Sequence, residues 1–126
     1  TGGSGGIGQA LIKKYLKEEC FVISADLEKS TDFDDKNFSF FKCNVECENS
    51  IHNLFEFVLN KYSRIDYFFS NAGILSLGDE NSSNFDWEKN WKLHLMSHVF
   101  VSRKLLPIFK KQKFGYLILE LHSEFN

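Results

Sequence analysis

The chain has 126 residues, of which 43% are hydrophobic and 25% are charged, and its formal net charge at pH 7 is −2. This size and apolar content allow one domain, or part of one, with a core that needs no disulfides. The weak charge without a basic run argues against a protein that binds nucleic acid or an anionic membrane, and no apolar run approaches membrane-spanning length. The odd set of three cysteines without a C-x-x-C pair predicts reduced thiols, in or near the core of a cytoplasmic protein, at Cys20, Cys43 and Cys47.

The chain opens with a glycine-rich segment, Thr1–Gly8, called here the glycine loop. Glycines at its positions 2, 6 and 8 allow a tight turn and a close approach of the backbone to a pyrophosphate, whose charge the first amides of a following helix would hold. A run of Gly and Ser is also typical of flexible linkers. Against a linker, apolar residues begin inside the glycine loop and continue at helical spacing, at Ile7, Ala10, Leu11 and Tyr15.

Strands and helices then alternate along the chain. The apolar run 21–25 predicts a strand that ends at Asp26, about 20 residues after the glycine loop, where an acceptor for the adenosine ribose hydroxyls belongs. A polar loop is predicted over 27–37, strands over 38–43, 65–69 and 116–121, and helices over 51–62 and 85–111. Apolar strands separated by helices are typical of a parallel sheet covered on both faces, which predicts an α/β, doubly wound fold.

These features resemble the amino-terminal half of the short-chain dehydrogenases/reductases. The T-G-x3-G-I-G pattern of the glycine loop, the Asn71–Gly73 turn after a strand, and Trp87 and Pro107 at the two ends of the long helix occur in the order of that family. The resemblance covers nearly the whole chain. It implies a Rossmann fold and a nicotinamide dinucleotide cofactor.

The resemblance also implies how that cofactor would lie. Asp26, followed by Leu27 rather than Arg, would accept from both ribose hydroxyls and repel a 2′-phosphate, which favours NAD over NADP, although Lys29 is close by. Asn44 takes the place of an Asp that contacts the adenine amino group, and its amide oxygen can accept the same hydrogen bond. The residues expected to hold the cofactor are Gly2, Ser4, Gly6, Ile7, Gly8, Asp26, Asn44, Val45, Asn71, Ala72 and Gly73.

The family's chemistry needs a Tyr that transfers a proton and a Lys four residues later. None of the four tyrosines of this chain has a Lys at that spacing, so the pair is expected after Asn126. Ser123, which comes after the last predicted strand, is the candidate for the Ser that hydrogen-bonds the reacting oxygen. A strand-end serine without a catalytic role fits the sequence equally well.

His94 falls where the family carries an Asn that holds a water in the proton relay. A histidine could bind that water and titrate near neutrality. The interpretation that the sequence favours is a partly buried packing residue on one helical stripe with Trp87, Trp91, Leu95 and His98. His94 and His98 have the spacing of paired metal ligands, but no third ligand is evident, and no metal site is predicted.

In the doubly wound strand order 3-2-1-4-5, the first strand lies in the middle of the sheet. Residues 1–126 begin after that strand, so we expect a partial Rossmann domain without its first strand and carboxy-terminal part. A sheet without its middle strand leaves two inner edges unpaired, each buried unpaired group costing about 1–3 kcal/mol. We therefore expect weak stability and no turnover from this chain alone.

Two functions are consistent with the sequence. The first is an NAD(P)-dependent oxidoreductase whose whole protein moves hydride between nicotinamide and a small alcohol or carbonyl substrate. The second is a non-catalytic dinucleotide-binding scaffold or redox sensor, in which His94 marks the decay of the active site. In either case a homodimer or homotetramer is expected, with a partner-facing helix surface formed by Phe100, Val101, Leu105 and Leu106.

Overall fold

The alternation of strands and helices is confirmed in a computed structural model that describes residues 1–29, 33–76 and 78–120. The last predicted strand is shorter than expected, and residue 121 lies outside the described residues. In chain order the elements are α1 (Gly6–Lys17), β1 (Val22–Asp26), β2 (Phe38–Lys42), α2 (Glu48–Tyr62), β3 (Tyr67–Ser70), α3 (Asn84–Trp91), a π-helical turn (Lys92–Met96), α4 (Ser97–Gln112) and β4 (Tyr116–Leu119).

The strands form two separate parallel pairs. β1 pairs with β2, with Asp26 opposite Lys42, and β3 pairs with β4, with Ser70 opposite Leu119. Among the described residues neither pair hydrogen-bonds to the other as a sheet. The start of the chain bridges them, because the Thr1 amino group donates to Phe69 O at 2.6 Å and Gly2 N donates to Ala25 O at 3.0 Å.

An apolar cavity of about 490 Å³, called here the slot, lies between β1 and β3. Both strands turn an unpaired edge toward it, and Thr1 and Gly3 lie at one end. In the predicted strand order, the middle strand of the sheet would lie at this position, between β1 and β3. Helix α1 and helix α2 also line the slot, with Leu11, Ile12, Leu54, Phe55 and Val58 among the lining residues.

The Thr1 amino group lies buried beside Phe69 O, although the Thr1 residue as a whole is partly exposed. Burial lowers the pKa of this amino group from 8.0 to about 6. The folded chain therefore favours the neutral amine, and the unfolded chain binds more protons between these two values.

We predict that a chain starting at Thr1 loses about 2 kcal/mol of unfolding free energy as the pH falls from 8 to 6. Urea denaturation at several pH values would measure this loss. The same chain with an acetylated amino group is the control, since it has no proton to take up at this position. Identical pH profiles for the two chains would contradict the prediction.

The hydrophobic core lies where α2 and α4 pack on the strands. Ile51, Val101 and Leu105 are fully buried there. The prediction that Val101 and Leu105 face a partner is therefore wrong, because the contact of α4 with α2 and β3 already covers them. Phe100 packs partly against the same core, and Leu106 is 46% exposed.

The long helical segment 84–112 is not one α-helix. The π-helical turn Lys92–Met96 interrupts it, and such a turn holds one more residue than an α-helical turn, which rotates the later residues by about 100° around the helix axis. Trp87 and Trp91, which precede this turn, are 58% and 60% exposed, whereas Leu93 and His98 are buried. The predicted single stripe of Trp87, Trp91, His94, Leu95 and His98 is therefore wrong, although His94 itself is partly buried as predicted.

The three cysteines are free thiols. Cys43 is buried and Cys20 is partly buried, but Cys47 is exposed at the N-cap of α2, so its predicted near-core position is wrong. Burial raises the pKa of the Cys43 thiol. None of the helices in the described ranges is long and apolar enough to cross a membrane.

Candidate cofactor site

The glycine loop turns tightly before it enters α1. Gly2 has a φ of +71°, and a Cβ there would lie 2.8 Å from Ala72 Cα. At Gly8 a Cβ would overlap the carbonyl oxygen of Gly2 and lie 2.7 Å from Gly3 Cα. Glycine is thus needed at both positions, because the loop passes close to α1 on one side and to Ala72 on the other.

Gly6 differs from these two glycines, since a Cβ at Gly6 would meet no atom of the described chain within 4 Å. Gly6 begins α1, whose N-cap is Gly5, and no side chain of the described residues caps this helix end. The first amides of α1 and the bare surface of Gly6 therefore face open space. An uncapped helix N-terminus beside open space is suited to binding a phosphate.

Asp26, at the end of β1, supports the glycine loop directly. One oxygen, Oδ2, accepts from Ser4 N at 2.9 Å, and the other, Oδ1, accepts from Leu27 N at 2.7 Å. Ser4 also donates through Oγ to Glu28 O at 2.6 Å. The sequence predicts a ribose acceptor at Asp26. It does not predict this second role, which is that the carboxylate fixes the loop that would hold the phosphates.

Asn71 supports the loop from the other side. Its Nδ2 donates to Thr1 O at 3.2 Å and to Gly2 O at 3.3 Å, while Asn71 N and Ala72 N both donate to Thr1 Oγ1 at 3.2 Å. Asn71 is buried. The Asn71–Gly73 segment after β3 is therefore hydrogen-bonded to the first turn of the glycine loop, and Asp26 is hydrogen-bonded to a later part of the same loop.

Asn44 comes directly after β2 and Cys43, and it is exposed. Its Oδ1 accepts from Glu46 N at 3.0 Å, and its backbone N donates to Ser50 Oγ at 3.0 Å. Val45 is buried in the core. Contact of Asn44 with an adenine amino group stays a prediction, for which the amide oxygen keeps one further lone pair.

His94 lies in the π-helical turn and is partly exposed, with its Nε2 at 3.1 Å from Ile74 O. His98, one turn later, is buried and its Nδ1 lies 2.7 Å from Ser70 Oγ. The sequence did not reveal this pair, because Ser70 and His98 are 28 residues apart. Ser123 lies outside the described residues. Among residues 1–29, 33–76 and 78–120, no group of three or more His, Cys, Asp or Glu could hold a metal ion.

The candidate residues thus gather at one edge of the strands. The glycine loop and Asp26 lie at the carboxyl end of β1, Asn44 lies just after β2, and Asn71–Gly73 lie just after β3. In open α/β sheets this edge, outside the carboxyl ends of the strands, is where ligands bind.

Known proteins are similar to this chain in sequence or in fold. Short-chain dehydrogenase reductase 3a of Arabidopsis thaliana is 29% identical over 96 residues, which are 68% of this chain and 37% of that protein. A short chain dehydrogenase of Leptospira borgpetersenii, solved with bound NAD+, superposes with a TM-score of 0.83 at 24% identity, over 92% of this chain and 47% of that one. ElxO, solved with NADP, gives a TM-score of 0.84 at 23% identity, over 93% and 51%.

The chain therefore spans about half or less of the length of these proteins. Its own residues 1–121 match the sequence profile of the family described as short chain dehydrogenase. The match covers the glycine loop, Asp26 and the Asn71–Gly73 segment together. This chain belongs to the short chain dehydrogenase family.

Proposed function

We propose that residues 1–126 are the dinucleotide-binding part of an NAD-dependent oxidoreductase whose whole protein transfers hydride between nicotinamide and a small alcohol or carbonyl. The observation that carries this proposal is the preformed glycine loop, which hydrogen bonds hold from Asp26 and from Asn71 while the surface of Gly6 stays open. The solved relatives that hold NAD+ or NADP support the same cofactor class.

The residues present fit a dinucleotide. The pyrophosphate would lie against Gly6 and the uncapped amides of α1, and the Asp26 carboxylate would accept from the adenosine ribose hydroxyls. A 2′-phosphate near Asp26 would bring two negative charges together, which supports NAD as the preferred cofactor. Lys29 lies three residues after Asp26 and is the cation that opposes this preference.

We propose that catalysis in the whole protein uses residues of this chain together with residues outside it. A bound nicotinamide would exchange hydride with the carbon of the substrate, while a proton leaves or joins the substrate oxygen. In this chain we propose that His94 holds a water of the proton relay and that Ser123 hydrogen-bonds the substrate oxygen. The Tyr and Lys of the family pattern do not occur together in residues 1–126, and we propose that the whole protein supplies them.

A non-catalytic scaffold or redox sensor is the second candidate. It would bind the same cofactor through the same residues and lack turnover, so the two candidates differ only in the activity of the whole protein. For both we propose a cytoplasmic protein that forms a homodimer or homotetramer, and for the oxidoreductase a small-molecule substrate.

Replacing Asp26 with Asn tests the cofactor assignment. The amide keeps an oxygen for Ser4 N but removes the acceptor for Leu27 N and the negative charge, so we expect NADPH binding to tighten about tenfold and NADH binding to weaken a few-fold. Fluorescence titration of the whole protein with each cofactor measures both changes. Glu56→Gln, which removes an exposed carboxylate on α2, is the charge control. An unchanged ratio of the two affinities in Asp26→Asn would overturn the assignment to NAD.

A further inference from the structure

Two histidines on one side of the long helical segment contact the chain at and after the end of β3. His94 Nε2 lies 3.1 Å from Ile74 O, and His98 Nδ1 lies 2.7 Å from Ser70 Oγ. The histidines are four residues apart and so are their partners. The two contacts therefore lie on either side of the Asn71–Gly73 segment and attach both of its ends to the helix.

The Ser70–His98 contact is enclosed within the protein. Ser70 is 2% exposed and His98 is 7% exposed. If the hydrogen bond between them broke, water could not easily reach either group to take the place of its partner. An unpaired buried polar group is unfavourable, and the hydroxyl and the imidazole satisfy each other. Ser70 O also accepts from Glu120 N at 3.2 Å. Ser70 is thus the residue at which β3, the end of β4 and α4 meet.

The residue after Ser70 connects the end of β3 to the glycine loop. Asn71 comes directly after Ser70, and its side chain donates to Thr1 O and Gly2 O. A shift of Ser70 relative to α4 would move the backbone of Asn71 and lengthen these bonds. The amide can hold the loop only while the end of β3 stays fixed.

We propose that the Ser70–His98 pair is a positioning element of the dinucleotide site, which fixes the carboxyl end of β3 on α4 so that Asn71 keeps the glycine loop in its binding conformation. His98 is thereby a positioning residue and touches no cofactor itself. The proposal rests on the proposed function, since the loop it supports is the proposed phosphate site.

The protonation state of His98 determines how the pair bonds. Burial and the nearby His94 lower the pKa of His98 below its usual 6.5, and hydrogen bonding to the Glu120 backbone opposes this only in part. Among the described residues, the groups that act on the pKa of the His98 ring are His94 in the π-helical turn and the backbone of Glu120 after β4. The lowered pKa favours the neutral ring at pH 7, and its Nδ1 can then accept a hydrogen bond from the Ser70 hydroxyl.

Acidification would place a proton on Nδ1 and a positive charge in a buried position. The Ser70 hydroxyl would then accept from that nitrogen instead of donating to it, and the cost of the buried positive charge would loosen the end of β3. We therefore expect NADH binding to weaken as the pH falls below 6.5, with a midpoint below the ordinary value for histidine.

Three variants of the whole protein test the pair by NADH titration. His98→Leu keeps the bulk of the ring without its hydrogen bond, Ser70→Ala removes the hydroxyl, and His98→Asn keeps an amide near the hydroxyl. We expect each of the first two to raise the NADH Kd about tenfold and the double variant to bind no more weakly than either. His98→Asn should bind within about threefold of the wild type and lose the pH dependence between 5 and 6.5.

Equal NADH affinities of His98→Leu and His98→Asn would overturn the proposal, as would additive losses in the double variant. If His98→Leu does not fold, Ser70→Ala and His98→Asn give the same comparison. The NMR signals of the Asn71 side-chain amide provide a readout without cofactor, since Ser70→Ala should speed its hydrogen exchange and His98→Asn should not. If the wild type binds no NADH, the proposed function fails, whereas an unchanged exchange rate in Ser70→Ala defeats the positioning role by itself.

Discussion

An apolar strand placed in the slot between β1 and β3 is expected to raise the melting temperature of the chain by about 10 °C. The slot presents unpaired backbone groups on both of its sides, and each new hydrogen bond contributes about 0.5–1.5 kcal/mol. Apolar side chains of the new strand would also displace water from a cavity of about 490 Å³. Thr1 and Gly2 are already hydrogen-bonded to Phe69 O and Ala25 O at one end of the slot, so residues added ahead of Thr1 start beside it.

The experiment fuses five residues rich in Val and Ile directly ahead of Thr1. A fusion of the same length made of Gly and Ser is the control, since it also removes the buried amino group but cannot fill the slot. Only the apolar fusion should raise the melting temperature and bind NADH in a fluorescence titration, and it should still show no turnover. Equal melting temperatures for the two fusions would show that the slot does not accept a strand.

We expect the second large effect from alanine substitutions at Gly8 and Gly6, two glycines with different surroundings. An added methyl group at Gly8 would overlap the Gly2 carbonyl oxygen, whereas a methyl group at Gly6 would meet no atom of the described chain. Gly8→Ala should therefore cost about 2 kcal/mol of stability and weaken NADH binding about 100-fold, because the glycine loop must move away from α1.

Gly6→Ala should leave the stability unchanged or slightly higher, since Ala favours a helix more than Gly does. Its methyl group would instead occupy the space expected for the pyrophosphate, so NADH binding should weaken about 100-fold here as well. Thermal melts and NADH titrations of both variants of the whole protein separate the two causes. Normal NADH binding by a stable Gly6→Ala protein would show that the phosphates lie elsewhere.

The fold could be predicted because its signals are local. Apolar runs, helical spacing and the glycine loop each involve neighbouring residues, and within the described part of the chain they locate the four strands and the start of α1. The proximity of Asp26 to the glycine loop is implied by its position at the end of a strand. The hydrogen bond from Ser4 N to Asp26 is not, since it depends on how the loop folds back.

The wrong predictions for the long helical segment have one common physical cause. A count of 3.6 residues per turn from Trp87 to His98 fails across the π-helical turn. This count places Trp91 and His98 on one stripe, whereas Trp91 is exposed and His98 is buried. The Ser70–His98 pair could not be predicted for a further reason, because its members come from separate elements whose packing no local pattern specifies.

The π-helical turn Lys92–Met96 makes this protein more sensitive to insertions and deletions than to substitutions in this segment. A substitution there alters one side chain, but a deletion of one residue would restore ordinary winding and turn α4 by about 100° relative to α3. His98 and Val101 would then leave the positions from which they reach Ser70 and the core. For this segment the number of residues therefore matters more than their identity, and insertions and deletions are its most damaging mutations.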